Sequence, residues 1–117
     1  MEAIPIRIDI RTQSEMNLRE HWGQRARRRK AHRLVASVAT RDWKLGDGSS
    51  CAVTLTRIAP RALDSDNLSA SFKGIRDGIA DSLGVDDRSA RITWAYFQRR
   101  GRPKEYAVEI AIATVGS

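Results

Sequence analysis

Six aspartates lie between Leu63 and Asp87 in the stretch LDSDNLSASFKGIRDGIADSLGVDD. Asp64 and Asp66 stand two residues apart, where side chains of an extended segment project to one side with Cα atoms ~6.6 Å apart. Two carboxylates held in that way can share one hard cation. Mg²⁺ takes one or two carboxylates and completes its shell with water and phosphate oxygens. Such a cation can activate water, polarise a phosphodiester and stabilise a leaving oxygen. The competing reading is structural, because an aspartate ahead of a helix is an N-cap worth ~1 kcal/mol. One cap accounts for one aspartate and leaves the other. Lys73 follows Asp66 by two helical turns and shares a face with Asp77. It either steadies a phosphate or pairs with Asp77 at i,i+4.

The elements that must hold these groups follow from periodicity. Ile4, Ile6, Ile8 and Ile10 alternate with polar residues or Pro5, the pattern of a half-buried strand, with Pro5 at its start or on an edge. A helix is expected from about Leu18 to Trp43, packed on one side through its alanines and Leu34, Val35 and Val38. Gly46 and Gly48 follow it as breakers. Strands are expected over Cys51 to Ile58, Ile92 to Arg99 and Tyr106 to Ala113, with RGRPKE as a hairpin connection between the last two. A second helix spans Asn67 to Leu83, with Leu68, Phe72, Ile75, Ile79 and Leu83 on one core-facing stripe and Gly84 as its stop. The resulting order, β-α-β-α-β-β, is a single α+β domain over residues 1–117 with two helices on a small mixed sheet.

That frame raises a problem for the acids. A straight helix over Asn67–Leu83 is ~25 Å long, so Asp86 and Asp87 at its far end reach Asp66 only if it bends. Gly74 and Gly78, with Ala70 and Ser82, form a small-residue stripe that lets another backbone approach closely. The expectation is a dimer contact or a bend that returns Asp87 to the acidic site.

Around the acids the chain is basic, with a formal charge of +7 at pH 7. Between Arg19 and Lys44 nine basic residues stand against only Glu20 and Asp42. Arg25, Arg27, Arg28, Arg29, Lys30 and Arg33 form one projection, and Arg99, Arg100, Arg102 and Lys104 a second. Two such projections suit extended or branched phosphate backbones, and the bland alternative is a pair of solvated surfaces. No zinc-finger or basic-zipper pattern points to base reading. Trp22 is the plausible base-stacking contact, whereas Trp94, inside an apolar strand, reads as core. The single cysteine, Cys51, leaves no internal disulfide and fits a reducing cytosol. No apolar run is long enough to span a bilayer and no export signal is visible, so the expected location is cytoplasmic.

The same residues carry a family likeness. Asp64, Asp66, Asn67, Leu68, Lys73, Asp77, Gly84, Asp86 and Asp87, followed by a strand, resemble the signature of the RusA-type Holliday junction resolvases. These are small phage- and prophage-associated endonucleases. Asn17, His21 and Trp22 are similar to a front patch of that family. The match covers about a quarter of the chain. The resemblance implies a RusA-like fold, Asp64, Asp66 and Asp87 as catalytic carboxylates binding Mg²⁺ or Mn²⁺, Asp86 as a neighbouring ligand, and a homodimer. In the family a catalytic lysine commonly stands four residues after the second aspartate. Here Ala70 holds that place, and Lys73, one turn on, is the candidate substitute.

Sequence therefore points to a metal-dependent endodeoxyribonuclease that resolves four-way or other branched DNA. Asp64, Asp66, Asp87 and Lys73 would carry the chemistry and the two basic projections would hold the backbone. The alternatives are a basic nucleic-acid-binding protein of the same fold that cuts nothing, and a phage structural or regulatory protein with an acidic helix as its interface.

Overall fold

The computed structural model describes residues 5–13 and 22–115. Ile4, Asn17, Leu18, Arg19, Glu20 and His21, used above, lie outside them. Seven elements follow in order: β1 (Ile6–Ile8), α1 (Trp22–Ala39), β2 (Ser50–Ala59), α2 (Ser65–Ser71), α3 (Lys73–Leu83), β3 (Ile92–Arg100) and β4 (Ala107–Val115). The strands form one sheet in the order β1-β4-β2-β3. Pairing is antiparallel at β1–β4 and β4–β2 and parallel at β2–β3. The mixed α+β architecture is the one the periodicity implied, and β1, just after Pro5, is an edge strand as expected. Among the described residues no helix is long and apolar enough to cross a membrane.

β2 organises the core. Cys51, Val53 and Leu55 alternate inward and are buried, opposite Ile92, Trp94 and Tyr96 on β3 and Ile110 and Ile112 on β4. Against this face lies the predicted stripe: Leu68, Phe72, Ile75, Ile79 and Leu83 are all buried, three of them with 0% exposure. Phe72 stacks on Tyr96 with ring centroids 5.6 Å apart.

Four expectations need correction. The helix expected over Asn67–Leu83 is two helices. Phe72, at φ −94° and ψ 3°, leaves the helical conformation and separates α2 from α3. Its N–H bonds back to Ser69 O at 3.2 Å, while Arg76 N bonds to Phe72 O at 2.8 Å. The buried Ser71 hydroxyl donates to Leu68 O at 2.7 Å, a back-bond of the kind that bends helices.

RGRPKE does not close a hairpin. β2 lies between β3 and β4, so the loop passes over the end of β2 and is tied to it by Gly101 N on Ala59 O at 2.8 Å.

The small-residue stripe faces α1 of the same chain and is no dimer contact. A Cβ on Gly74 would lie 2.7 Å from both Arg29 O and His32 Cβ, and one on Gly78 would lie 2.9 Å from Ala36 Cβ. Ser82 Oγ donates to Ser37 O at 3.0 Å along the same seam. This close approach turns His32 and Ala36 inward. Leu34, Val35 and Val38, expected on the packed side of α1, are 64%, 42% and 48% exposed.

Candidate active site

The site is built from the ends of α2 and α3. Asp64 is the N-cap of α2: Asn67 N donates to its Oδ1 at 2.9 Å, and the Asn67 amide donates to both oxygens at 3.0 Å. These bonds, the backbone one first, hold the Asp64 carboxyl below its ordinary pKa. The structural reading of this aspartate is therefore realised. Asp66 lies in the first turn of α2, is exposed, and has no ion-pair or hydrogen-bond partner for its carboxylate among the described residues. It lines an open cleft of about 370 Å³ with Arg29 of α1, Ser69 and Ala70 of α2, and Lys73 and Arg76 of α3.

Asp87 arrives at the same cations from the other side. Gly84, in the left-handed conformation at φ 74°, ends α3 and lets the chain turn back. Asp87 Oδ2 then accepts from Lys73 Nζ at 3.1 Å and from Arg76 Nη2 at 3.2 Å. Trp94 Nε1 donates to the Asp87 carbonyl at 2.9 Å, which fixes this turn to β3. Trp94, expected in the core, is half-buried and packs against it while also holding Asp87. The Arg76 guanidinium lies over Trp94 and Tyr96, 5.4 and 5.9 Å from their ring centroids. Partial burial raises the Asp87 pKa, but Lys73 and Arg76 outweigh it and leave the carboxyl below its usual value.

Lys73 also bonds Asp77 Oδ1 at 3.0 Å, the i,i+4 pair foreseen from spacing. Its bond to Asp77, against the effect of partial burial, and its bond to Asp87 hold the ammonium above the normal lysine pKa. Lys73 is thus a fixed cation at neutral pH, suited to hold an anionic oxygen and unsuited to accept a proton.

The structure joins Lys73 to Asp77 and Asp87, joins Arg76 to Asp87, and places Asp66 on the wall of the cleft that Lys73 and Arg76 line. It gives Asp64 to the helix cap and Asp86 to the turn after α3, where Asp86 Oδ1 accepts from Arg88 N at 2.8 Å. Among the described residues no three His, Cys, Asp or Glu side chains form a metal-sized group. Mg²⁺ needs only one or two carboxylates, however, so the unpartnered Asp66, with Asp87 bound to the same Lys73 and Arg76 that line the cleft, fits its donor chemistry.

Of the α1 cations, Arg29 reaches the cleft, and it borders a second hollow with Lys30, Arg33 and Asp77. Arg27, Arg29 and Lys30 are exposed, while Arg25 and Arg28 are half-buried. Arg33 is engaged elsewhere. Its fork holds Asp81 at 2.7 and 2.8 Å across the α1–α3 seam, which raises the Arg33 pKa and lowers that of Asp81. Arg99 pairs with Glu109 at 3.0 Å, and Arg100, Arg102 and Lys104 are exposed. Trp22 is 76% exposed at the start of α1.

No protein-family model matches the chain. An "Uncharacterized protein" of Xylella fastidiosa (strain Temecula1 / ATCC 700964) is 40% identical over 85 residues, covering 62% of this chain. The chain spans about half the length of that relative, 52%.

Sequence reasoning passed over Arg76 and Arg57. Arg76 follows Lys73 by three residues, a helical neighbour spacing that was available to read. Arg57 continues the inward register of Cys51, Val53 and Leu55, and an arginine at a core register is itself a signal.

Proposed function

We propose that this chain is a metal-dependent, structure-selective endodeoxyribonuclease of the RusA type. In this reading it acts in the cytoplasm of a bacterium as a homodimer and nicks four-way or other branched DNA at paired phosphodiesters. The observation that supports it is the cleft in which an unpartnered carboxylate, Asp66, faces the cations Lys73, Arg76 and Arg29, with Asp87 anchored on two of them. A phosphodiester is drawn into such a cleft by the cations, and a lone carboxylate there has a task that capping and pairing do not supply.

Mg²⁺ or Mn²⁺, held by Asp66 and Asp87, would supply Lewis-acid polarisation of the phosphodiester and activation of the attacking water. The chain's own residues divide the rest. Lys73, kept protonated by Asp77 and Asp87, holds a non-bridging oxygen and offsets the negative charge that grows as water adds to phosphorus. Arg76, stacked over Trp94 and Tyr96, keeps the Asp87 carboxylate in place and adds positive charge to the cleft wall. Asp66 is the group able to take the proton of the attacking water. The bond from phosphorus to the leaving sugar oxygen then breaks, and that oxygen is protonated from solvent. Two copies of the chain would give the paired nicks that a two-fold four-way junction requires.

The second reading is a nucleic-acid-binding protein of the same fold without cleavage. It is favoured by Ala70 in the expected lysine place and by the engagement of Asp64 and Asp87 with protein donors. The deciding experiment incubates the wild-type protein with a synthetic four-way junction and a linear duplex, each with Mg²⁺ and with Mn²⁺. Paired, symmetric nicks in the junction alone are the result expected of the nuclease. Salt-sensitive binding without nicking under either metal assigns the protein to the second reading.

A further inference from the structure

At the end of β2 and β3 lies a second, basic cleft, distinct from the acidic cleft, named for Asp66 although Arg29, Lys73 and Arg76 also line it. Two hollows of about 270 and 290 Å³ share Arg57, Ala59, Pro60 and Arg61 as a common wall. Ala62, Gln98, Arg99 and Arg100 also line the first, and Arg11, Thr12 and Tyr106 border the second. Among the described residues no acidic side chain lines either hollow.

Arg57 is the decisive residue. It is only 6% exposed, in the register of the core, yet it has no carboxylate partner among the described residues. Its Nε donates to Thr12 Oγ1 at 2.9 Å, Nη1 to the Arg61 carbonyl at 2.6 Å, and Nη2 to the Thr12 carbonyl at 3.5 Å. All three acceptors are neutral. A guanidinium carries five N–H donors, so one on each terminal nitrogen is left over. Such left-over guanidinium donors are the groups that hydrogen-bond phosphate oxygens.

Burying a charge without a counterion is costly, and arginine cannot escape by losing its proton. Burial does push the Arg57 pKa down, with the nearby Arg11 acting in the same direction and Tyr106 opposing. An anion entering the cleft relieves this penalty. Arg11 is held over the Tyr106 ring at 4.4 Å, and Arg61 and Arg100 stand exposed at the mouth.

The location ties the cleft to DNA. Ala62 belongs to its wall, and Leu63 is pinned to Gln98 at both its N–H (2.9 Å) and its carbonyl (2.7 Å). Asp64 then caps α2 and Asp66 enters the acidic cleft. The five-residue path from Arg61 to Asp66 spans at most about 18 Å. That is about five nucleotide steps of a duplex strand at ~3.4 Å each.

We infer that the Arg57 cleft binds a backbone phosphodiester of the same nucleic acid, a few nucleotides from the phosphate beside Asp66. This rests on the proposed reading of the chain as a DNA-acting protein. Arg57 is then a positioning residue for the substrate strand, and Arg61 adds a solvent-exposed second cation.

The test measures metal-free binding to a four-way junction across a salt series for wild type, Arg57→Lys, Arg61→Ala and Arg41→Ala. Arg41 is an exposed arginine outside both clefts and controls for lost charge. Lysine at position 57 keeps the charge and loses the guanidinium donors. Arg61→Ala removes only an exposed side chain and keeps the carbonyl that Arg57 uses, so it reports even if Arg57→Lys fails to fold. Each cleft variant is expected to bind about 10-fold more weakly, the scale of one charged hydrogen-bonded contact. For Arg61→Ala the salt dependence should also flatten by about 0.9 in log–log slope. Cleft variants that bind as Arg41→Ala does, or wild type that binds no DNA, would overturn the inference. Junction nicking assayed alongside separates the two claims. Nicking with unaffected cleft variants sinks this inference alone, and weakened cleft variants of a protein that never nicks sink the nuclease reading alone.

Discussion

The two clefts of this molecule handle charge in opposite ways. In the acidic cleft several ions are already answered: Lys73 by Asp77 and Asp87, Arg76 by Asp87, and Asp64 by the donors of Asn67. Among the described residues Asp66 and Arg29 are the exceptions, and Asp66 is the one carboxylate. Among the described residues no acid lines the basic cleft, although Glu109 pairs with Arg99 at its edge, and the most buried cation, Arg57, meets only neutral oxygens. Paired ions fix side chains in place, whereas an unanswered charge keeps its affinity for an outside partner. The comparison assigns the first cleft to positioning around one free carboxylate and the second to holding an anion.

The largest blow to that contrast comes from the core beneath the acidic cleft. Phe72 has no exposed surface, and it sits at the break from which Lys73 departs. Phe72→Ala should cost about 3–5 kcal/mol in a denaturant titration, through lost burial and the cavity left behind.

A smaller effect, read against pH, tests the pairing itself. Asp87→Asn removes the shared counterion of Lys73 and Arg76 and should cost about 1–3 kcal/mol at neutral pH. The folded Asp87 pKa is depressed, so its contribution is fully present above the unfolded value near 3.8 and lost as pH falls through the folded one. Thermal melts of wild type and Asp87→Asn should therefore begin to draw together as pH falls below about 4 and meet only below the folded pKa of Asp87. A gap that persists in acid would mean that the charge of Asp87 is not what stabilises the fold.

The smallest effect belongs to the outer side of α1. Val38 is 48% exposed, so Val38→Ala should change stability by no more than about 0.5 kcal/mol. A loss of about 2 kcal/mol in the same melt would return Val38 to a packed face.

How far the sequence could be read depended on how local each feature is. The stripe from Leu68 to Leu83 was legible because five apolar residues recur at helical spacing, and all five are buried. The break at Phe72 was not, since no glycine or proline marks it and a buried serine hydroxyl helps to make it. On α1 hydrophobicity favoured Leu34, Val35 and Val38, but the side turned inward was decided by Gly74 and Gly78 on another helix. Strand order depended likewise on distant packing: a six-residue connection looks like a hairpin until β2 occupies the place between. In the site, Lys73–Asp77 was readable from i,i+4 spacing. The Asp87–Lys73–Arg76 cluster needed the reversal after Gly84, and Arg57 was hidden inside a strand counted as apolar.

The central claim concerns the one carboxylate left unanswered in the acidic cleft. Its most direct test is the rate of four-way junction cleavage by Asp66→Asn beside wild type in Mg²⁺, with junction affinity measured on the same samples. The nuclease account predicts a rate lower on the order of 10²–10⁴-fold, with affinity unchanged or tighter because a negative charge facing phosphate has gone. Equal cleavage by both proteins, or a fall in rate explained wholly by weaker binding, would contradict it.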